Sequence, residues 1–324
     1  MKNKFFLHKN IHWLEHVART RSQLYEITRN FFNSRGFIEV ETPIIVNYPG
    51  NDLFTDVYEL IDNNGFLISS PEFSMKKLLG AGFKKIYTIT KSFRLNELTR
   101  FHNPEFSMLE WYEPYTDYKD LFRLTREYLE TVFESFFPDG IIRKGNKKVV
   151  FANFLETTLD DLFIEHAGFS FKENSEFKAI KDFASNNLHI DCTKLENWNE
   201  VFSMIFIEKI EPFLKKLEFP IAVYDYPVSL ASLSKLSADR DVCERFEIYL
   251  SGVELCNGFT ELDDGEEQKK RFQENHQKID EDLINALNSE FPPCSGIAVG
   301  LDRVLFFCLS EAESLSDVLL FPKV

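Results

Sequence analysis

Arg94 and Arg100 bracket a polar loop between two segments rich in β-branched and aromatic residues, Tyr87–Phe93 and Phe106–Tyr112. Guanidinium forks of this kind suit phosphate oxygens. Asn103-Pro104 supplies turn chemistry. Strand alternation then puts Phe106, Met108, Glu110 and Tyr112 on one face, so a ring, a carboxylate and a phenol stand in one row. A half-buried hairpin with incidental charge has the same pattern, and the rest of the chain must decide between them.

Two further stretches carry chemistry. Cys243–Leu250 and Gly252–Cys256 read as a hairpin about Ser251-Gly252, in which Tyr249 faces Glu254 and Glu247 lies diagonal to it. Two such carboxylates can hold a hard cation such as Mg²⁺, with water and substrate phosphate completing its shell. One bulge at Asn257-Gly258 would return Glu261 to the same face. The alternative is a solvated acidic hairpin, against which Phe246, Ile248 and Leu255 argue. In the other stretch, Cys294–Arg303, a glycine-bounded strand leads into the apolar helix Val304–Leu309. Gly300 allows close approach of a ligand to the backbone. Arg303 in the helix's first turn opposes the helix dipole unless an anion is near. Glu72, just after Pro71 at a predicted helix start, is either a favourable first-turn acid or a ligand.

The elements that position these residues follow from pattern. Ile11–Ser34 is predicted as an amphipathic helix stopped near Gly36, followed by a short strand, Phe37–Pro43, whose proline suits an edge or a junction between subunits. Phe66–Ser69 is predicted as a strand before a helix through Leu79, Tyr118–Phe136 as a helix, and 114–218 as a mostly helical insertion with a basic patch at Arg143–Lys148. Strands return from Ile221. Asp264–Ser289 is predicted as one polar helix and Asp317–Pro322 as a last extended stretch.

With 324 residues, 44% apolar content and 34 phenylalanines, the chain can fill a large core. Its net charge of −15 disfavours extended nucleic-acid binding. The five cysteines lack CxxC spacing, which suggests neither a zinc site nor a disulfide framework. No apolar run approaches a membrane span, and Met1–Asn10 does not read as a secretory leader, so residence in the cytoplasm is expected.

Together these stretches resemble the three signature motifs of class II aminoacyl-tRNA synthetases, specifically the lysyl branch. The first helix and Gly36–Pro43 resemble motif 1, Phe93–Tyr112 motif 2, and Gly296–Arg303 motif 3. His102-Asn103-Pro104-Glu105-Phe106, Glu254-x-x-Asn257-Gly258-Phe259-x-Glu261-Leu262 and Asp317–Pro322 have lysyl-branch character. Motif 1 begins so early that no anticodon-binding barrel is expected, which is similar to the stand-alone paralogues that attach (R)-β-lysine to elongation factor P. The resemblance implies an α+β fold, an antiparallel sheet flanked by helices, with 1–324 as one catalytic domain that forms a homodimer through motif 1. It implies ATP and Mg²⁺, elongation factor P as acceptor, and neither tRNA nor membrane as partner.

Residue by residue, the resemblance makes Arg94 and Arg303 the catalytic cations that bind ATP phosphates. It has Phe106 stacking on adenine, with Asn96, His102, Asn103, Glu254, Leu255 and Gly300 around the nucleotide. Glu247 and Glu254 would take magnesium. Ser70, Glu72, Glu110, Tyr112, Asn257, Glu261 and Ala298 would form the amino-acid site, Glu72 meeting the amino group near the carboxylate and Glu110, Tyr112, Asn257 and Glu261 the remote ammonium. Ala298 replaces a glycine of lysyl-tRNA synthetases, which is expected to favour β-lysine over α-lysine. Asn96 replaces the usual motif 2 glutamate, so either its amide keeps part of that contact or the loop presents Glu97. An enzyme of this kind with another acceptor, or a non-catalytic binding protein derived from the fold, has the same motifs.

Overall fold

The computed structural model describes residues 10–50 and 56–323; the reading of Met1–Asn10 therefore lies, apart from Asn10, outside the described residues. Asn10 begins the order: its side chain accepts from His12 N at 3.0 Å and starts helix α1, Ile11–Ser34, which the left-handed Gly36 closes off. Short strands β1 (Ile38–Glu39), β2 (Ile45–Val46) and β3 (Phe66–Leu67) follow, then α2 (Glu72–Gly80) with Pro71 as its N-cap. The long hairpin is β4 (Ile86–Phe93) and β5 (Glu105–Pro114). The next segment carries α3 (Tyr118–Phe136), β6 (Ile141–Lys144), β7 (Lys147–Val150), β8 (Leu155–Thr158), α4 (Leu159–Ala167), α5 (Phe177–Asn187), α6 (Trp198–Ile205) and α7 (Glu211–Leu214). The last part carries β9 (Ile221–Pro227), β10 (Val242–Leu250), β11 (Val253–Thr260), α8 (Gly265–Glu274), α9 (Glu281–Leu287), β12 (Cys294–Gly300), α10 (Leu301–Cys308) and α11 (Leu315–Val318).

Eight strands form one sheet in the order β1-β4-β5-β12-β11-β10-β9-β8. Its six central strands are antiparallel, but both edges are parallel pairs, β1 with β4 and β8 with β9. The sheet is thus mixed where an antiparallel one was expected. The reason is connectivity: between the members of each edge pair the chain passes through helices, which return it in its original direction.

The alternation of the strands divides the sheet's two faces. Leu109, Trp111, Ile297, Val299, Phe246 and Ile248 point into the main core, where α1, α3 and α10 cover them. Phe32 lies at the centre, 4.8 Å from the Trp111 ring and 5.5 Å from Tyr128, and such aromatic pairs add about 0.5–1.5 kcal/mol each beyond area burial. Among the described residues the other face is covered by helices at its ends. Helices α4–α7 pack over Val223, Tyr226 and Tyr249, and α2, α8 and α9 gather around Ile86, Tyr112 and Cys294. Between these two packs β5, β12, β11 and β10 keep their side chains for cavities.

Four local expectations change. Asp264–Ser289 is two helices, because Asn275 ends α8, His276 takes a left-handed turn at φ +54° and Asp280 caps α9 through Leu283 N at 3.1 Å. Arg143–Lys148 belongs to the β6–β7 hairpin, turned at the left-handed Gly145. Asp317-Val318 ends α11, which Ser314 and Asp317 open with a capping box. The bulge falls at Leu255: Tyr249 pairs with Glu254 as expected, but Ile248 pairs with Cys256 and Glu247 with Asn257. It still returns Glu261 to the parity of Glu254. Among the described residues no helix is long and apolar enough to cross a membrane.

Candidate active site

The register lines up the site. Ala298 pairs with Glu110 on one side and Asn257 on the other, and Asn257 pairs with Glu247, so these four residues form a row across β5, β12, β11 and β10. One step along, Tyr112, Gly296, Phe259 and Arg245 form a second row. These rows border two cavities that share Arg94, Met108, Arg245, Asn257 and Ala298.

The first cavity, about 80 Å³, is lined by Ser70, Glu72, Glu110, Tyr112, Asn257 and Ala298. Glu110 is fully buried, taking a hydrogen bond from Ser70 Oγ at 2.5 Å and one from the Tyr112 hydroxyl at 3.1 Å. Burial, with Glu72 nearby, pushes its carboxyl up to about 8 against those two donors. Glu261 lies behind Gly296, close enough that a Cβ there would meet Glu261 Oε1 at 2.5 Å and run into the Tyr112 ring. Burial also raises Glu261 to about 8, although Lys76 opposes the shift. The Lys76 ammonium, 1% exposed, lies 2.6 Å from Glu72 Oε1 and 2.6 Å from Glu261 Oε2. Two buried acceptors, Glu261 Oε1 and Asn257 Oδ1, have no hydrogen-bond partner among the described residues. Such orphaned oxygens are costly in an empty site and suit a ligand that brings N–H donors.

The second cavity, about 180 Å³, is lined by Arg94, Glu97, His102, Phe106, Glu247, Glu254, Gly300 and Arg303, with Asn103 and Leu255 at its wall. Arg303 reaches from the first turn of α10 to Glu254, donating to its backbone carbonyl at 2.8 Å, with Oε2 at 3.4 Å. Its other terminal nitrogen lies 2.8 Å from His102 Nε2. Burial, then Arg303 and Arg94, lowers His102 to about 4, so the ring is neutral, accepts at Nε2 and faces Thr99 Oγ1 with Nδ1 at 2.8 Å. The Arg94 guanidinium lies 5.3 Å from the Phe106 ring centre, leaving a cationic and an aromatic group side by side. Asn103 is held at both ends, donating to Glu105 O at 2.5 Å and accepting from Lys323 N at 3.2 Å.

Glu247 takes Arg245 Nη2 at 2.5 Å and the Tyr249 hydroxyl, and burial raises its carboxyl, with Arg245 opposing and Glu254 adding to the shift. Among the described residues no group of three or more acidic, histidine or cysteine side chains gathers to hold a metal. Magnesium commonly takes only one or two protein carboxylates beside substrate phosphates, so the oxygen donors of Glu247 and Glu254 on one cavity fit it.

Of the residues singled out from sequence, Glu261 borders neither cavity, lying behind Gly296, and neither does Asn96. Asn96 is exposed at φ +65° with its amide donating to Asp56 Oδ2 at 3.1 Å, while Glu97 faces the second cavity 3.8 Å from Arg94. Arg100 also faces away, donating to Glu313 O at 2.9 Å. Sequence reasoning missed Lys76 and Arg245. Lys76 follows Glu72 by four residues, a spacing that ordinarily marks an exposed helical ion pair; Arg245 carried a signal, since it alternates with Glu247 on one strand face.

A mixed sheet with this arginine–phenylalanine hairpin, an arginine opening the helix after a glycine-bounded strand, and buried acids between them is the catalytic fold of class II synthetases. The family model for class II tRNA synthetases (D, K and N) matches residues 3–324, and the chain belongs to that family. It is 34% identical over 328 residues to a lysine–tRNA ligase of Pelotomaculum thermopropionicum, covering 95% of this chain and 63% of that protein. It is 35% identical over 320 residues to an elongation factor P–(R)-beta-lysine ligase of Pectobacterium atrosepticum, covering 93% of each chain, and 36% identical with the same coverage to one from Photorhabdus laumondii. The chain thus spans a little under two thirds of the lysine–tRNA ligase but nearly the whole of the β-lysine ligases.

Proposed function

We propose that this chain activates (R)-β-lysine with ATP as an aminoacyl-adenylate and transfers the acyl group to the ε-amine of a lysine on elongation factor P. The observation that carries the amino-acid part is the set of oxygen acceptors at the first cavity, the carboxylates of Glu72 and Glu110 and the Asn257 Oδ1 that has no partner among the described residues, with Glu261 Oε1 buried just behind Gly296. Two ammonium groups on one small molecule answer that demand. The names of relatives matched along nearly their full length support the substrate and the acceptor.

In the first step an amino-acid carboxylate oxygen bonds to the α-phosphorus of ATP, and the bond to pyrophosphate breaks with its electron pair leaving on pyrophosphate. Arg94 and Arg303 are the fixed cations for the charge on the phosphate oxygens, and Phe106 offers a ring face to the base. Neutral His102 holds the Arg303 fork in place. Magnesium, held by Glu247 and Glu254, would supply further neutralisation of phosphate charge. Arg94, Asn257 and Ala298 border both cavities, so they stand where the two substrates meet. In the second step the acceptor amine, having lost a proton, bonds to the acyl carbon and AMP leaves.

The test is ATP–pyrophosphate exchange with (R)-β-lysine and α-lysine in the absence of acceptor, followed by mass measurement of elongation factor P. Faster exchange with β-lysine and one added β-lysyl group on the factor are expected. The comparable identity to a lysine–tRNA ligase favours a second reading, α-lysine activation, and exchange driven by α-lysine alone would select it. Exchange with neither would point to a non-catalytic protein.

A further inference from the structure

Lys76 is a buried cation that the proposed chemistry does not use. Its ammonium joins α2 to the end of β11, 2.6 Å from one oxygen of Glu72 and 2.6 Å from one oxygen of Glu261. It leaves Glu261 Oε1 without a partner. Glu72, Glu110 and Glu261 bring three carboxyl groups together, and Lys76 is the ammonium shared by two of them. An internal ion pair usually spends its carboxylates on each other's stability; here a single ammonium is shared so that each acid keeps an oxygen for something else.

Resting on the function proposed above, we infer that Lys76 is a positioning residue for the amino acid: it ties Glu72 to Glu261 and aims their remaining oxygens. Without that ammonium the two buried acids repel; one takes up a proton or swings aside, and the acceptors lose their aim. Lys76 lines neither cavity, so it acts through the acids it holds.

Calorimetric binding of (R)-β-lysine, α-lysine and a non-hydrolysable ATP analogue to wild type, Lys76→Met and Lys76→Arg tests this. Lys76→Met should raise the Kd of the favoured diamino acid at least tenfold and leave the nucleotide Kd within twofold. Lys76→Arg, which keeps the charge, should recover part of the loss. Diamino-acid binding by Lys76→Met within twofold of wild type overturns the inference, and so does parallel weakening of both ligands, which would mark Lys76 as a support of the fold. If Lys76→Met does not fold, Lys76→Arg decides: selective weakening of the diamino acid supports the inference, whereas no weakening or parallel weakening overturns it. A wild-type protein that binds neither diamino acid removes the proposed function itself, a result read in a separate arm.

Discussion

Ala298 is the residue at which substrate choice is most exposed to experiment. It lies between Glu110 and Asn257 in register and borders both cavities, and on the proposed function its methyl stands near the amino acid's reacting end. Ala298→Gly should raise exchange with α-lysine relative to β-lysine by a factor corresponding to about 1–3 kcal/mol, read from kcat/KM for the two. Glu110 makes a pH prediction. Its carboxyl is held at about 8 in the fold against 4.5 for an ordinary glutamate. The native state therefore holds this proton more tightly, so its stabilising contribution is complete below about 4.5 and is lost as pH climbs to about 8. Tm of the ligand-free protein should show that loss, and the Tm gain from a diamino acid should be larger above this window than within it; a pH-independent gain would exclude Glu110 as an ammonium partner. The row Phe106, Met108, Glu110, Tyr112 was legible because strand parity alone sets it. Lys76 was not, because Glu72 and Lys76 have the spacing of any surface pair and only tertiary packing buries them. Asn96 and Glu97 trade places for a similar reason: the left-handed φ at Asn96 belongs to the loop's path and has no glycine to announce it.

At the level of elements, helical spacing with the Gly36 stop gave α1, and β-branched and aromatic runs about Asn103-Pro104 gave the β4–β5 hairpin, whereas connectivity decided the parallel edges and two left-handed turns decided the break between α8 and α9 and the β6–β7 hairpin. The need for a bulge before Glu261 was legible from the parity of the acids, but Asn257-Gly258 drew attention away from its place at Leu255. Gly296 shows what close strand packing demands. An added methyl there would meet Glu261 Oε1 at 2.5 Å and the Tyr112 ring. Gly296→Ala should cost about 1–3 kcal/mol in denaturant unfolding and also remove diamino-acid binding. Binding that survives a measured loss of stability would separate the strand's packing from the site.

The whole molecule leaves an apolar margin beside its edge strand. Ile38, Ile44 and Ile45 are 57%, 41% and 57% exposed around β1 and β2, and among the described residues β1 is the edge strand of the sheet. We expect a homodimer through this margin, and sedimentation of Ile45→Glu should show monomers if it is the interface. The two cavities have another consequence at this scale. Because the two share Arg94, Met108, Arg245, Asn257 and Ala298, their occupants would be neighbours, and a single molecule joining an amino acid to a nucleoside would enter both with only one loss of translational freedom. A stable sulfamoyl link in place of the phosphoryl ester should therefore bind about a hundredfold or more tighter than either half, making the pocket a chelating receptor for its own intermediate.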